Sequence, residues 1–454
     1  MNPYITYDFI SLYPWVNKYC EYPIGHPDIK YNPEDQTLSN YFGIAKCTIL
    51  PPHHLFHPLL PYRCGGKLVF PLCRTCVEGN IDKPLLQKEW ICRHSDKQRA
   101  LTGTWSTPEL KKATDIGYEL LRIHEVWDFP SSPGQRKGLF KDYVDTWLKN
   151  KEEASGFPDD CLTDAQRRQH VADYLEHENI ELDQDNIRAN PGKRAVAKLM
   201  LNSMWGKFGQ RLDKTHVEEF TDSRDLHAFL ASGRYNITYV SPITEERVEV
   251  YYKIREPMIE VNANLNIFVA CFTTCHARLK LYGELERLDR RVVYFDTDSI
   301  IFTQEGNYQP DLGKYLGQFK DELKGDHITT FCSGGPKNYG YKTSRGKVQT
   351  KVRGFTLNRE GSRQLNFDIM LNNVQNEVLR PLDDGQVRTV RVNERTKIVR
   401  NAKRTNSSPS RATKPIVSLP TRECFTTATT PMMMMIQTLF LLSLMATSTW
   451  TPTF

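Results

Sequence analysis

The sequence is short of long apolar runs, of a strong charge excess and of any regular cysteine framework, and each shortage removes a class of protein. The longest apolar stretch lies at 432–445 of the 454 residues and falls short of the roughly 20 that a membrane span needs. No membrane partner is therefore expected. No secretory leader is visible, since Met1 opens directly onto a polar and aromatic segment. Lys and Arg number 60 against 54 Asp and Glu, a net charge of +6 that suits a polyanionic partner without singling one out. The cysteines number 11, an odd count scattered along the chain, so they read as thiols of an intracellular, reducing compartment, some of them holding metal. One shortage is local: no acidic residue occurs from His327 to Arg359.

What is present is a globular composition, 39% hydrophobic and 11% aromatic, with material for two to four subdomains at about 150 residues each. The stretch around which the chain is organised is Val292-Val293-Tyr294-Phe295-Asp296-Thr297-Asp298-Ser299-Ile300-Ile301-Phe302. Two β-branched and aromatic runs flank a short polar tetrad, the pattern of two strands and a tight turn, and such continuous apolar runs predict a hairpin deep in a sheet. Its tip carries two carboxylates two residues apart. Either these cap the backbone of an Asx-type turn, or they await a cation, because buried acids are costly without compensation.

The chain opens on alternating aromatic and aliphatic residues, a strand ending near Asp8, followed by a turn over 11–14. If this strand pairs with the hairpin, Asp8 joins its acids in a clamp for a divalent, oxygen-loving ion; the competing role for Asp8 alone is a helix cap. Cys73-Arg74-Thr75-Cys76 and then Cys92-Arg93-His94 supply four ligands, the number a closed structural zinc site requires. The alternative is unrelated thiols and a surface histidine. A strand is predicted over 117–129 and helices over 139–149 and 164–178, the first with Phe140, Tyr143, Val144, Trp147 and Leu148 on one face.

Asn190 and Pro191 signpost a further helix start. Along that helix Arg194, Lys198, Asn202 and Trp205 form one stripe, and Val196, Leu199, Met200 and Ser203 are expected to pack inward. Two cations, an amide and an indole in that order suit a triphosphate and a base; a solvated cationic face is the plainer reading. A buried helix is expected over 264–284. Beyond the hairpin, Lys337, Lys342, Arg345, Lys347, Lys351 and Arg353 interleave with Tyr339, Tyr341 and Phe355, which suits a nucleic-acid backbone and stacked bases as well as it suits an exposed basic hairpin. From about residue 404 the composition turns to Ser, Thr, Pro and Met, and the tail over 401–454 is expected to be disordered.

Asp8 with Ser11-Leu12-Tyr13-Pro14, Lys198 with Asn202-Ser203 and Gly206, Tyr294 with Asp296-Thr297-Asp298-Ser299, and Lys337 with Tyr339 together resemble the four ordered motifs of B-family DNA polymerases. The last motif and the 139–149 helix resemble the protein-primed branch found in phages, linear plasmids, adenoviruses and Polinton-like elements. The resemblance covers about residues 1–370. It implies an α+β right-hand architecture with an antiparallel-sheet palm, helical fingers and a small thumb. By this likeness the palm takes 1–60, 117–135 and 216–330, an insertion with the zinc knuckle 61–116, the fingers 136–215 and the thumb 331–400.

The resemblance also implies two Mg²⁺ ions on Asp8 and Asp298, with Asp296 in support. Tyr13 would lie under the sugar, Arg194 and Lys198 on the triphosphate, Asn202 at the nascent pair, and Trp205 among the nucleotide-binding residues as a stacking face. Lys337, Tyr339, Lys342 and Arg353 would hold the DNA. The partners implied are a DNA template and primer, deoxynucleoside triphosphates and a terminal priming protein. This chemistry matches the residues: two metals activate a primer 3′-hydroxyl and cations offset charge on the transferring phosphoryl.

Three departures stand out. Trp205 replaces the family's usual Tyr, the cysteine-histidine insertion lies outside the minimal pattern, and the chain starts almost on the first motif, leaving the family's exonuclease domain without a place ahead of it. With the unusual tail, they make a truncated, inactive element-derived remnant that only binds nucleic acid the alternative expectation. A reverse transcriptase is disfavoured, because an Asp-Thr-Asp-Ser turn replaces the adjacent acid pair and the Lys198 helix is present.

Overall fold

The computed structural model describes residues 3–80, 92–210, 212, 214–258, 265–353, 357–379, 389–392 and 399–402. Phe355 and nearly all of the 401–454 tail lie outside these described residues. The first strand, β1 (Tyr4–Phe9), ends one residue beyond Asp8. It gives way at Ser11 to helix α1 (Leu12–Tyr19), where a mere turn was expected. Pro14 is compatible with that helix because it falls in the first turn, where no intrahelical donor is needed.

Next come β2 (Asp28–Tyr31), β3 (Gly43–Leu50), the small hairpin β4 (Tyr62–Cys64) and β5 (Lys67–Val69), and two short helices, α2 (Arg74–Asn80) and α3 (Asp96–Arg99). They are followed by β6 (Leu101–Ser106), α4 (Thr107–Asp115) and β7 (Glu119–Asp128). A four-stranded antiparallel sheet runs in the order β2-β7-β3-β6. Residues 101–106, within the segment expected as an insertion reaching 116, therefore form a strand of this sheet.

A single turn, α5 (Pro133–Arg136), leads into three helices, α6 (Lys141–Glu153), α7 (Asp164–Glu178) and α8 (Pro191–Phe208). Val144 and Leu148 of α6 are buried with Tyr174 of α7 and Leu201 of α8 in one cluster, as the helical spacing required. On α8 the expected inner stripe is corrected. Val196 and Leu199 are 54% and 63% exposed, Ser203 is exposed, and Ala197 and Leu201 are the buried positions. Apolar residues surround this helix on several sides, so the sequence pattern did not single out the narrow line that meets α6.

Then β8 (His216–Phe220), α9 (Ser223–Ala231), β9 (Tyr235–Thr244) and β10 (Arg247–Ile254) build a separate three-stranded sheet, order β8-β10-β9. Residues 216–254 thus stand outside the main sheet to which they were expected to contribute.

The buried helix α10 (Ile267–Leu288) precedes the hairpin β11 (Val292–Asp296) and β12 (Ser299–Thr303), and after it come β13 (Phe319–Asp321), β14 (Ile328–Ser333), β15 (Tyr339–Thr343) and β16 (Val348–Lys351). The chain continues into α11 (Arg359–Gln364), α12 (Phe367–Leu379) and a last hairpin, β17 (Thr389–Val392) with β18 (Val399–Ala402).

The main antiparallel sheet is ordered β11-β12-β1-β14-β15-β16, with β13 also pairing β1. The hairpin is consequently at the edge of the sheet, not deep within it: β12 is interior and β11 is the outer strand. Strands β15 and β16, expected in a thumb, continue this sheet. Helix α10 backs it, with Phe272, Ala277, Leu281 and Leu285 packed against Ile5, Phe9, Leu12 and Phe302. Burial of that many large apolar side chains, at roughly 1.5–3 kcal/mol each, is what holds the sheet to the helix layer.

Candidate active site

Asp8 and the hairpin acids meet because β1 and β12 pair in register. Asp8 lies opposite Ser299, and the Phe9 amide donates to the Asp298 carbonyl at 2.7 Å. The hairpin turn places Asp296 opposite Ser299 around a two-residue loop. Its first loop residue, Thr297, has φ 50°, a left-handed conformation that β-branched residues rarely adopt. Ser11 after β1 and Lys337 before β15 also lie in that region, at φ 50° and 58°. Three of the seven non-glycine residues with positive φ among the described residues therefore surround the acids, and backbone strain of this kind concentrates at functional sites.

The electrostatics set these acids apart. Burial pushes the Asp8 carboxyl up to about 7; the Asp298 charge adds to the shift, and Lys351 and Lys320 oppose it. Burial, then the Asp296 charge, pushes Asp298 up to about 6 against Lys337 and Lys351. The Oδ1 atom of Asp8 is buried without a hydrogen-bond partner. Asp296 is different: its Oδ2 accepts from Lys337 Nζ at 2.7 Å and its Oδ1 from the Thr297 hydroxyl at 3.1 Å. Asp296 is thus compensated by the protein itself. Asp8 and Asp298 have no ion-pair partner among the described residues. An orphaned hard oxygen beside a second acid is the donor set a Mg²⁺ ion fits.

The other expected residues divide into those brought to this centre and those held elsewhere. Tyr13, half-buried on α1, stacks on Trp205 of α8 with ring centroids 4.4 Å apart and planes 23° from parallel. Burial, followed by the Asp298 charge, raises its hydroxyl pKa further above the ordinary tyrosine range. Lys198 and Asn202 are exposed on α8, and Lys198 has no hydrogen-bond or ion-pair partner among the described residues. Arg194 donates from Nε to the Ser155 hydroxyl at 3.0 Å.

Tyr339 is buried, 4.6 Å from the Tyr294 ring, and so does not present the exposed aromatic face its expected DNA role implied. Lys342 alternates to the opposite face of β15, where it donates to Asp368 Oδ1 at 2.7 Å and lies over Phe367. That separates it from the acids. The Arg353 amide donates to Asn338 Oδ1 at 2.8 Å, and its side chain is exposed.

Lys351, read in the sequence only as one of the basic residues of that run, lies over the Tyr339 ring at 5.3 Å and within the field of Asp8. The two-residue alternation of β16 gave a weak signal for it. Arg278, fully buried on α10, pairs with Glu109 and acts on the Tyr13 hydroxyl, and nothing in the local sequence pointed to it. Away from this centre, Cys73, Cys76, Cys92 and His94 do come together, with ligand atoms all within 4.8 Å of one another.

An antiparallel sheet thus carries, on β1 and at the adjoining hairpin turn, two acids without an ion-pair partner among the described residues; α10 backs it, and the Tyr13–Trp205 stack joins it to the helix that carries Lys198. Residues 1–162 match the family described as DNA polymerase type B, organellar and viral. A probable DNA polymerase of Neurospora intermedia is 24% identical over 77% of this chain and 30% of its own length. A DNA polymerase of Kluyveromyces lactis is 25% identical over 38% of this chain and 17% of its own.

Among solved structures, an orthorhombic crystal form of Phi29 DNA polymerase superposes with a TM-score of 0.51 at 17% identity, covering 82% of this chain and 53% of that one. The chain therefore spans about half or less of the proteins it matches. Its first 162 residues match that family, and its fold is similar to that of Phi29 DNA polymerase over 82% of the chain.

Proposed function

We propose that this chain is the polymerising portion of a template-directed DNA polymerase, adding deoxynucleotides to a 3′-hydroxyl by two-metal phosphoryl transfer. The observation that carries the reading is the Asp8 carboxylate, half-buried with an unpartnered oxygen and pressed against Asp298. Asp8 and Asp298 would hold Mg²⁺. Bound there, the ions supply Lewis acidity for the attacking hydroxyl and charge neutralisation for the departing pyrophosphate.

The chain's own residues do the rest. Lys337 fixes Asp296 and limits its repulsion of Asp298. The free ammonium of Lys198, with Arg194 one turn earlier, receives the triphosphate. Tyr13 and Trp205 form a flat aromatic wall for the sugar and base, and Asn202 lies on the same helix stripe. Lys337, Lys351 and Arg353 provide sequence-independent charge for a primer-template, a duplex of the kind seated in a Phi29 DNA polymerase complex. A terminal priming protein is the partner that the Phi29-like branch brings to this reading. An intracellular, reducing compartment is the setting in which the thiols of 73, 76 and 92 stay available.

Within this assignment the palm comprises the main sheet with α1 and α10, together with the 43–50 and 101–128 sheet. The fingers comprise 141–208, and the segment beyond 357 supplies the thumb. The test is primer extension on a DNA template with Mg²⁺, comparing the parent chain with Asp298→Asn. Extension by the parent and a loss on the order of 10³ in the variant are expected. No extension by a folded parent that still binds DNA overturns the enzyme reading in favour of an inactive nucleic-acid-binding remnant.

A further inference from the structure

We infer that Cys73, Cys76, Cys92 and His94 bind one zinc ion in a closed structural site, and that Arg99 docks the loaded knuckle onto the palm. His94 Nδ1 is 3.5, 3.3 and 3.6 Å from the sulfurs of Cys73, Cys76 and Cys92, and the Cys76 and Cys92 sulfurs are 3.6 Å apart. Ligands at about 2.3 Å for sulfur and 2.1 Å for nitrogen around a tetrahedral ion have mutual separations of roughly 3.5–3.8 Å. These four separations are those of a zinc-sized tetrahedron, and all four ligand atoms lie within 4.8 Å of one another. A disulfide needs sulfurs at about 2.05 Å, so oxidation of one pair does not describe the cluster. The Cys76 amide donates to Cys73 Sγ at 3.4 Å, a bond that favours sulfur in its anionic, metal-binding form.

The segment around the cluster cannot hold itself together by apolar burial. Among the described residues of 62–99, Phe70, Cys73 and Arg99 are the buried ones. Three buried side chains cannot offset roughly 1–2 kcal/mol of backbone entropy for each ordered residue, and a metal cross-link is the usual remedy in small modules.

Polar ties then join the parts. The Tyr62 hydroxyl donates to Glu78 at 2.8 Å, and the Thr75 hydroxyl to the Gln98 carbonyl at 2.8 Å. Arg99, 2% exposed, donates to the Pro51 carbonyl at 2.7 Å, the Leu72 carbonyl at 3.4 Å and Asp96 at 3.2 Å, and its Nη1 lies 3.0 Å from His53 Nε2. One guanidinium therefore bridges the residue before Cys73 to the end of the β3 segment. Four ligands from the chain leave no coordination position for substrate, which makes the role architectural.

The test is metal analysis of the full chain, purified under reducing conditions without chelator from zinc-supplemented medium. One zinc per chain is expected in the parent and in Cys161→Ser, and less than about a fifth of that in Cys92→Ser and His94→Ala. Where those variants fail to fold, cobalt substitution of the parent is read instead. Tetrahedral thiolate-cobalt absorption bands are expected, and their absence overturns the site. A parent without zinc, one carrying iron in its place, or full zinc in both ligand variants would overturn it as well.

Arg99→Ala should keep its zinc while limited proteolysis within 62–99 accelerates about tenfold or more. Zinc loss or unchanged proteolysis refutes the docking role. Zinc content is read without polymerisation, so this inference and the proposed activity fail independently.

Discussion

Two pairs of acids, each at least half-buried, are treated in opposite ways in this protein. Asp145 of α6 and Glu178 of α7 share Lys18 of α1, whose side chain is 1% exposed, with Nζ at 2.7 and 3.2 Å. Glu178 also accepts from the Tyr19 hydroxyl and the Leu316 amide, both at 2.7 Å. Asp8 lies within the field of Asp298, lysines act on both without an ion pair among the described residues, and one Asp8 oxygen is left over. The first pair is compensated from within and joins α1 to α6 and α7. The second is left short of positive charge. Buried charge that the chain satisfies is architecture, whereas buried charge that it leaves open is reserved for a ligand.

Substitutions at both centres can break this contrast. Asp8→Asn should abolish primer extension, by on the order of 10³ or more, and yet raise the thermal midpoint by about 2 °C at pH 8, because it removes a repelled charge. A fall in the midpoint would make Asp8 structural, like Glu178. Lys18→Met should do the reverse, costing about 3–5 kcal/mol in urea unfolding because two carboxylates lose their cation. A cost below about 1 kcal/mol would show that water already reaches that joint.

The pH dependence follows from the raised pKa values. Asp8 at about 7 and Asp298 at about 6 hold protons in the folded, metal-free protein that the unfolded chain releases near pH 4. Their contribution to stability is therefore full below about pH 4 and is lost as pH rises through 6 and 7. Mg²⁺ must displace those protons, so its half-saturating concentration should fall by up to about tenfold per pH unit between about pH 5.5 and 7. Isothermal titration giving the same affinity at both ends of that range would remove these acids from the metal site.

The smallest effect is expected at Lys198, which has no hydrogen-bond or ion-pair partner among the described residues. Lys198→Ala should raise the nucleotide concentration for half-maximal extension about tenfold, with unchanged stability, since one charge-assisted phosphate contact is lost. An unchanged nucleotide dependence would return Lys198 to the solvated surface.

Much of this arrangement was legible in the chain because it depends on local pattern. The two-residue alternation of β1 and the hairpin, the Asn190-Pro191 start of α8 and the amphipathic face of α6 are set by backbone geometry and nearest neighbours. The grouping of Cys73, Cys76, Cys92 and His94 was visible as spacing alone. What was misplaced depends on contacts between distant segments. Nothing within Val196 and Leu199 says that α8 meets its neighbours along Ala197 and Leu201, and nothing within Lys342 says that Asp368 waits on its face of β15. The hairpin's apolar runs suggested the middle of a sheet because burial by a helix layer and burial by flanking strands demand the same residues.

By itself, the sequence determined which residues are candidates for chemistry: the carboxylates, the α8 lysine, the cysteine-histidine group, and the strands and helices that carry them. Only the tertiary structure decided that Asp8 stands opposite Ser299 and feels Asp298, that Lys337 settles Asp296, and that Trp205 lies on Tyr13. Charge interactions decay over a few ångströms in a protein, so their consequences rest on the register of strands far apart in the chain, which no local pattern encodes.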